Sequence, residues 1–213
     1  ERALLIGGDF YDAELLPDGR LAMIVGDMAG HGAPAAAQAA GLRFGWRTMV
    51  AVDPHPARVL SALNAQMARP ELRAEGLFAT VIYTLVTPEG EGIFASAGHP
   101  SPVLLDGEGC HVLEPAGVGP VLGLLDEGEW PFTPFTLPPG ATYVTYTDGL
   151  VEARAGEEVF GLERVCGILT AERNVAVEAR LARLVAAARR FDDGSLRDDV
   201  VVMALERVPP VHV

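Results

Sequence analysis

Positive charge is what this chain has least of: 16 Lys and Arg stand against 29 Asp and Glu, a formal charge of −13. Phosphate backbones and anionic lipid need clustered basic side chains, so nucleic acid and membrane surfaces are excluded as partners. Cysteine is nearly as scarce. Cys110 and Cys166 make no disulfide framework and no CxxC motif, and read as two buried small apolar side chains. The 5 histidines are scattered, which excludes a clustered imidazole site. No apolar run can span a bilayer and no signal peptide opens the chain, so the cytoplasm is the expected compartment.

Apolar side chains, by contrast, make up 49% of 213 residues, enough to build a sizeable core. Residues 1–213 read as a single domain, without repeat or linker. A strand pattern begins almost at Glu1, which suggests a piece of a longer protein with an upstream domain.

Ala3 to Ile6 form a short apolar run that meets Gly7-Gly8-Asp9. With the turn Pro17-Asp18-Gly19 and a strand over Leu21 to Val25, it predicts a first hairpin. Pro34 suits the first turn of an Ala-rich helix reaching about Val50. Gly41 and Gly45 share one face of that helix, for close approach to a sheet. A second helix, about Pro56 to Ala68, carries the stripe Val59, Leu60, Leu63 and Met67. Strands follow over Leu77 to Val86 and Glu91 to Ser96, then several short ones up to Leu137, and another over Ala141 to Thr147. Helices are expected over about Leu162 to Ala171 and Val175 to Phe191, the latter with Arg180 and Arg183 on a solvated face. A last strand covers Asp199 to Glu206. Strands joined by short turns and covered by helices give an α+β sandwich with mostly antiparallel sheets.

The aspartates carry the chemistry. Asp9 follows the first apolar run, and Asp27 ends the second strand in phase with Leu21, Met23 and Val25. Asp148 ends the late strand in phase with Val144 and Tyr146, while Asp198 and Asp199 open the last one. Burying one carboxylate costs several kcal/mol. Several together repel and take up protons unless cations neutralise them. Oxygen donors without thiolate or clustered imidazole select hard ions such as Mg²⁺ or Mn²⁺. Gly26, Gly30, Gly32 and Gly149 flank these aspartates and let the backbone bend. His31 and His99 are acid candidates, against the plainer reading that each hydrogen-bonds backbone in a Gly-rich turn. Trp46 and Phe44 read as core.

Six ordered runs then resemble one family: Gly8-Asp9-Phe10-Tyr11-Asp12, Gly26-Asp27-Met28-Ala29-Gly30-His31-Gly32, Ser96-Ala97-Gly98-His99-Pro100, Gly119-Pro120-Val121-Leu122-Gly123-Leu124, Tyr146-Thr147-Asp148-Gly149-Leu150-Val151-Glu152-Ala153, and Arg197-Asp198-Asp199-Val200. Together they resemble the metal-dependent protein phosphatases (the PPM family, related to protein phosphatase 2C), in the bacterial SpoIIE/RsbU branch. The resemblance implies a four-layer αββα sandwich with two Mn²⁺ or Mg²⁺ ions at one edge. It implies Asp27 as the ligand bridging both metals, the Met28 carbonyl as a further ligand, Asp148 and Asp198 completing the set, and Asp9 binding directly or through water. Asp27 and Asp148 become the catalytic residues, through a metal-bridging hydroxide that attacks phosphoserine or phosphothreonine. The branch further implies a phosphorylated anti-sigma-factor antagonist as substrate in bacterial stress or developmental signalling. It also implies an upstream sensor domain, and a homodimer formed around the segment matching 33–68. Two features of animal relatives have no counterpart: Ala29 stands where they carry an acid histidine, and Arg2 is misplaced for their phosphate clamp.

Two rival readings differ in class. A pseudophosphatase that only binds a signalling partner should have lost its acidic ligands, and here all are present. A hydrolase of small phosphoesters should carry the His- and Asn-rich ligand sets that are missing.

Overall fold

Pro17 and Asp18 bring the chain round so that Gly19, at φ 85°, closes the first hairpin, and Asp18 accepts from the Arg20 N–H at 3.1 Å. The computed structural model describes residues 8–30, 32–192 and 198–209. In chain order the elements begin β1 (Phe10–Leu15), β2 (Leu21–Met28), α1 (Ala33–Val52), α2 (Pro56–Met67) and α3 (Pro70–Ala74). Next come β3 (Ala79–Val86), β4 (Glu91–Ala97), β5 (Val103–Leu105), β6 (Cys110–Val112), β7 (Val118–Gly119), β8 (Phe132–Thr136) and β9 (Thr142–Tyr146). The chain ends with α4 (Asp148–Val151), β10 (Arg154–Ala155), β11 (Glu158–Val159), α5 (Gly161–Ala171), α6 (Val177–Phe191) and β12 (Val202–Glu206). The first hairpin therefore uses a strand after Gly8-Asp9; the expected strand over Ala3 to Ile6 lies outside the described residues.

Residues divide into two compact units, 1–99 with 115–135, and 100–114 with 136–213. In the first, β1-β2-β3-β4-β7 form one sheet, with β8 also pairing β4. Neighbouring strands from β1 to β4 pair antiparallel, and β4 with β7 is parallel. Period-two side chains of β2 and β3 are buried on both faces, which is why these strands read as nearly unbroken apolar runs. Helix α1 buries Ala35, Ala39, Leu42, Trp46 and Val50, and α2 buries Val59, Leu60, Leu63 and Met67. These stripes join Ala22, Ile24, Val81, Tyr83 and Leu85 in one core. The two helix glycines serve helix–helix contact instead of the expected helix–sheet contact. A Cβ on Gly41 would lie 3.2 Å from the Gln66 amide of α2, and one on Gly45 would overlap that amide. Trp46 is buried as expected, but Phe44 is 66% exposed because it lies off the α1 stripe.

The second unit has the sheet β12-β9-β5-β6 and the small ribbon β10-β11. Helices α5 and α6 pack on it through Val165, Leu169, Leu184 and Ala188, against Val103, Val144 and Tyr146. Two expectations fail here. Cys110 of β6 and Cys166 of α5 are joined in a disulfide, Cα to Cα 5.1 Å, because the fold brings together thiols that sequence distance separates. Arg180 is not solvated: it is 4% exposed, and its guanidinium donates to Thr142 Oγ1 at 3.0 Å and to the carbonyls of Arg173 and Val175. Those bonds hold both terminal nitrogens of a buried charge that the apolar stripe alone would have turned outward, while Nε has no hydrogen-bond partner among the described residues. Arg183 does face solvent, pairing with Glu172. Among the described residues no helix is long and apolar enough to cross a membrane.

Candidate metal centre

In the first unit, Asp27 is the second-to-last residue of β2, with Met23 and Val25 on its face as the period-two count required. It stands directly opposite Thr80 of β3. Asp9 directly precedes β1 and is half-buried like Asp27. Two glycines bring these segments together. The Met28 N–H donates to the Gly8 carbonyl at 3.2 Å. A Cβ on Gly8 would come within 2.5 Å of the Met28 carbonyl oxygen and 3.1 Å of Asp27 Oδ1. Only a bare Cα lets the Gly8-Asp9 segment lie against the carbonyl and carboxylate together. Gly26, expected as a bend, is extended strand; it leaves room for the Phe10 ring, which a Cβ would meet at 2.5 Å. The bend comes later, at Gly30 (φ 101°) and Gly32 (φ 80°), where the chain turns into α1.

His99 is 5% exposed. Its backbone N–H donates to Ser96 Oγ at 3.0 Å, and that hydroxyl donates to the His99 carbonyl at 2.9 Å. This is the Gly-rich turn of the plainer reading, but the ring goes further: Nδ1 lies 2.9 Å from Thr80 Oγ1. His31, Arg2 and Arg197 lie outside the described residues.

In the second unit, β9 stops at Tyr146, and Asp148 opens the short helix α4. Its direction therefore follows a helical turn, and the strand phase counted from Val144 does not reach it. Asp198 and Asp199 likewise precede β12 instead of belonging to it, and both are exposed. Buried Thr147 ties the two segments: its N–H donates to the Val201 carbonyl at 3.0 Å, and its Oγ1 accepts from the Val201 N–H at 2.9 Å. Gly149 completes the approach, since a Cβ there would overlap the Asp199 carbonyl and lie 3.3 Å from Asp198 Cβ. The outcome is electrostatic strain at Asp148. Burial pushes its carboxyl above the usual range, and the charges of Asp198 and Glu152 push it further.

Sequence reasoning missed the threonines. Thr147 ties the Asp148 turn to Val201, and its available signal was a hydroxyl between an apolar strand and an Asp-Gly step; Thr80, opposite Asp27 in the ladder, had no such signal.

The donors of each unit are oxygens: Asp27 and the Met28 carbonyl in one, Asp148 and Asp198 in the other. That chemistry, the glycine-made approaches and the strain at Asp148 fit a hard divalent cation. Among the described residues no group of three or more Asp, Glu, His or Cys side chains forms a ready-made cation cage.

Helices laid on mostly antiparallel sheets, with aspartates at strand ends, are the architecture of PP2C phosphatase domains. The SiaA PP2C domain of Pseudomonas aeruginosa superposes with a TM-score of 0.81 at 26% identity, over 96% of this chain and 82% of that one. The RsbU and RsbW domains of Rv1364c from Mycobacterium tuberculosis give 0.79 at 28% identity, over 100% of this chain and 58% of that one. The SpoIIE phosphatase domain of Bacillus subtilis shares the fold, with a TM-score of 0.79 at 15% identity, over 96% of this chain and 58% of that one. The chain belongs to the stage II sporulation protein E family (SpoIIE), whose family model matches residues 17–208. It is a PP2C-type protein phosphatase domain of the RsbU and SpoIIE kind. A curated relative, protein IcfG of Synechocystis sp., is 28% identical over 236 residues, covering 97% of this chain and 37% of that protein. The chain thus spans little more than a third of that relative's length.

Proposed function

We propose that this domain hydrolyses phosphoserine and phosphothreonine in a protein substrate with the help of two divalent cations, Mn²⁺ or Mg²⁺. In this reading Asp27 is shared by both ions, and the Met28 carbonyl, Asp148, Asp198 and Asp9 complete their ligands. The observation that carries it is the close approach of the Asp148-Gly149 turn to Asp198, which a glycine permits, with the Asp148 carboxyl pushed up by burial and then by Asp198, an arrangement that a cation relieves. Divalent cations, when bound, supply a nucleophilic water near neutral pH and offset phosphoryl charge. The chain's own contribution is positioning: Gly8 lets the segment before β1 lie against the Met28 carbonyl and Asp27, and Thr147 with Gly149 holds the Asp148 turn beside Asp198. Ala29 has no proton to give, so protonation of the leaving oxygen is not assigned to that position.

The substrate in this reading is a phosphorylated anti-sigma-factor antagonist in bacterial stress or developmental signalling, supported by the likeness to a chain that carries RsbU and RsbW domains. Residues 1–213 act as one catalytic domain of a longer cytoplasmic protein, governed by an upstream sensor domain and a homodimer. The greater length of its relatives supports the first of these, a domain of a longer protein.

The test is phosphate release from a phosphoserine protein in MnCl₂, compared with a nucleotide substrate. Wild-type protein should act on the phosphoprotein, and Asp27→Ala and Asp148→Ala should each lose that activity. Equal rates in wild type and both variants would sink the reading.

A further inference from the structure

His99 is the one buried imidazole among the described residues, and the proposed chemistry leaves it without a role. Its place is unusual. Ser96 Oγ grips both its backbone N–H and its carbonyl, at 3.0 and 2.9 Å, so the ring cannot drift with the turn. Gly98, at φ 71°, bends the chain so that the ring reaches back over the sheet. There Nδ1 meets Thr80 Oγ1 at 2.9 Å. Thr80 is the residue paired with Asp27 across β2 and β3. Directly opposite residues share a face, with Cβ atoms about 4.5–5.5 Å apart.

We propose that His99 is a positioning residue that acts through Thr80 to hold the Asp27 carboxylate ready for a cation. A hydroxyl has one proton and two lone pairs. This role takes Nδ1–H as the donor to Thr80 Oγ1, the tautomer that would turn the threonine proton away from the imidazole and toward the neighbouring strand, where Asp27 stands. The buried ring therefore fixes the sense of a hydrogen bond that a free hydroxyl would leave rotating. Groups behind a metal ligand typically tune affinity or activity by about 10–100-fold. The inference rests on the proposed metal reading and adds to it a residue that touches neither cation nor phosphate.

The test uses Mn²⁺ calorimetry together with metal-free thermal denaturation, on wild type, His99→Phe, His99→Asn, Thr80→Val and Thr80→Ser. His99→Phe and Thr80→Val should each weaken Mn²⁺ binding by about 10–100-fold. Thr80→Ser keeps the hydroxyl and His99→Asn keeps a donor near the Nδ1 position, so both should recover most of it. Joining His99→Phe to Thr80→Val should add little, because one chain of bonds is already broken. If His99→Phe fails to fold, the half-buried Thr80 pair decides alone. Unchanged Mn²⁺ affinity in Thr80→Val, or a double variant whose losses simply add, overturns the inference. Wild-type protein that takes up no Mn²⁺ overturns the metal reading as well; wild-type uptake with unaffected variants overturns only this one.

Discussion

Gly149 lies against Asp199 so closely that a single added methyl would overlap the Asp199 carbonyl. Glycine normally weakens a helix by about 0.5–1 kcal/mol relative to alanine, so alanine should help wherever there is space. Gly167 of α5 is such a place, with nothing within 4 Å of a built Cβ. Gly167→Ala should therefore raise Tm, while Gly149→Ala should lower it and also weaken Mn²⁺ uptake, because the 198–199 segment must move. Thermal denaturation of the two variants, with and without MnCl₂, checks the opposite signs.

Asp148 gives a pH prediction. Burial, then Asp198, then Glu152 raise its folded pKa above the ordinary value. The protonated carboxyl is thus the form the metal-free fold prefers. Its contribution to stability is complete below about pH 3.9 and is lost as pH rises through the raised folded value. Metal-free Asp148→Asn should be more stable than wild type at pH 7, and the gap should close toward pH 4. The same variant should lose the Mn²⁺-dependent gain in Tm that wild type shows at pH 7. Denaturation midpoints across pH 4–8, in chelator and in MnCl₂, read both effects.

Most elements were legible because they follow short-range rules. The stripe Val59, Leu60, Leu63 and Met67 is periodic in sequence and buried in space, and Pro17-Asp18-Gly19 makes the turn its chemistry demands. What failed depends on partners far along the chain. Arg180 looked solvated because its acceptors, Thr142 and two loop carbonyls, are not its helix neighbours. Cys110 and Cys166 looked unrelated because 56 residues separate them. At the site, Asp27 kept the strand phase, whereas Asp148 sits on a helical turn that no period-two count reaches.

Asp12 lies outside the proposed chemistry and is 9% exposed. Arg47 reaches it with two hydrogen bonds, from Nε to Oδ2 and from Nη2 to Oδ1, both 2.6 Å, and Arg43 Nε stands 3.3 Å away. The bonds from Arg47 hold the Asp12 carboxyl below the usual range. A lowered folded pKa gives stability that is present above the unfolded value and lost as pH falls through the folded one. Arg47→Met should therefore lower Tm at pH 7, and the difference from wild type should shrink as pH drops below about 4. A constant difference down to pH 2.5 would remove the ion pair as its cause.

The Cys110–Cys166 bond gives the second unit its own lever. It links β6 to α5 across 56 residues, and closing a loop of that length constrains the unfolded chain by about 4 kcal/mol in the entropy description, with measured values more often about 2–4. Reduction should lower stability by an amount in that range, and Cys110→Ala with Cys166→Ala should reproduce the reduced protein. Because the bond lies within one unit, the loss should be local. Amides of β5, β6 and α5 should exchange faster on reduction, while those of β2 and β3 change less. Equal loss of protection in both units would mean that they unfold as one. Thiols in the cytosol are held reduced, so alkylation of cells quenched in acid should find both cysteines free if the cytoplasmic reading is right. A protected pair in freshly quenched cells would place the domain in an oxidising compartment instead.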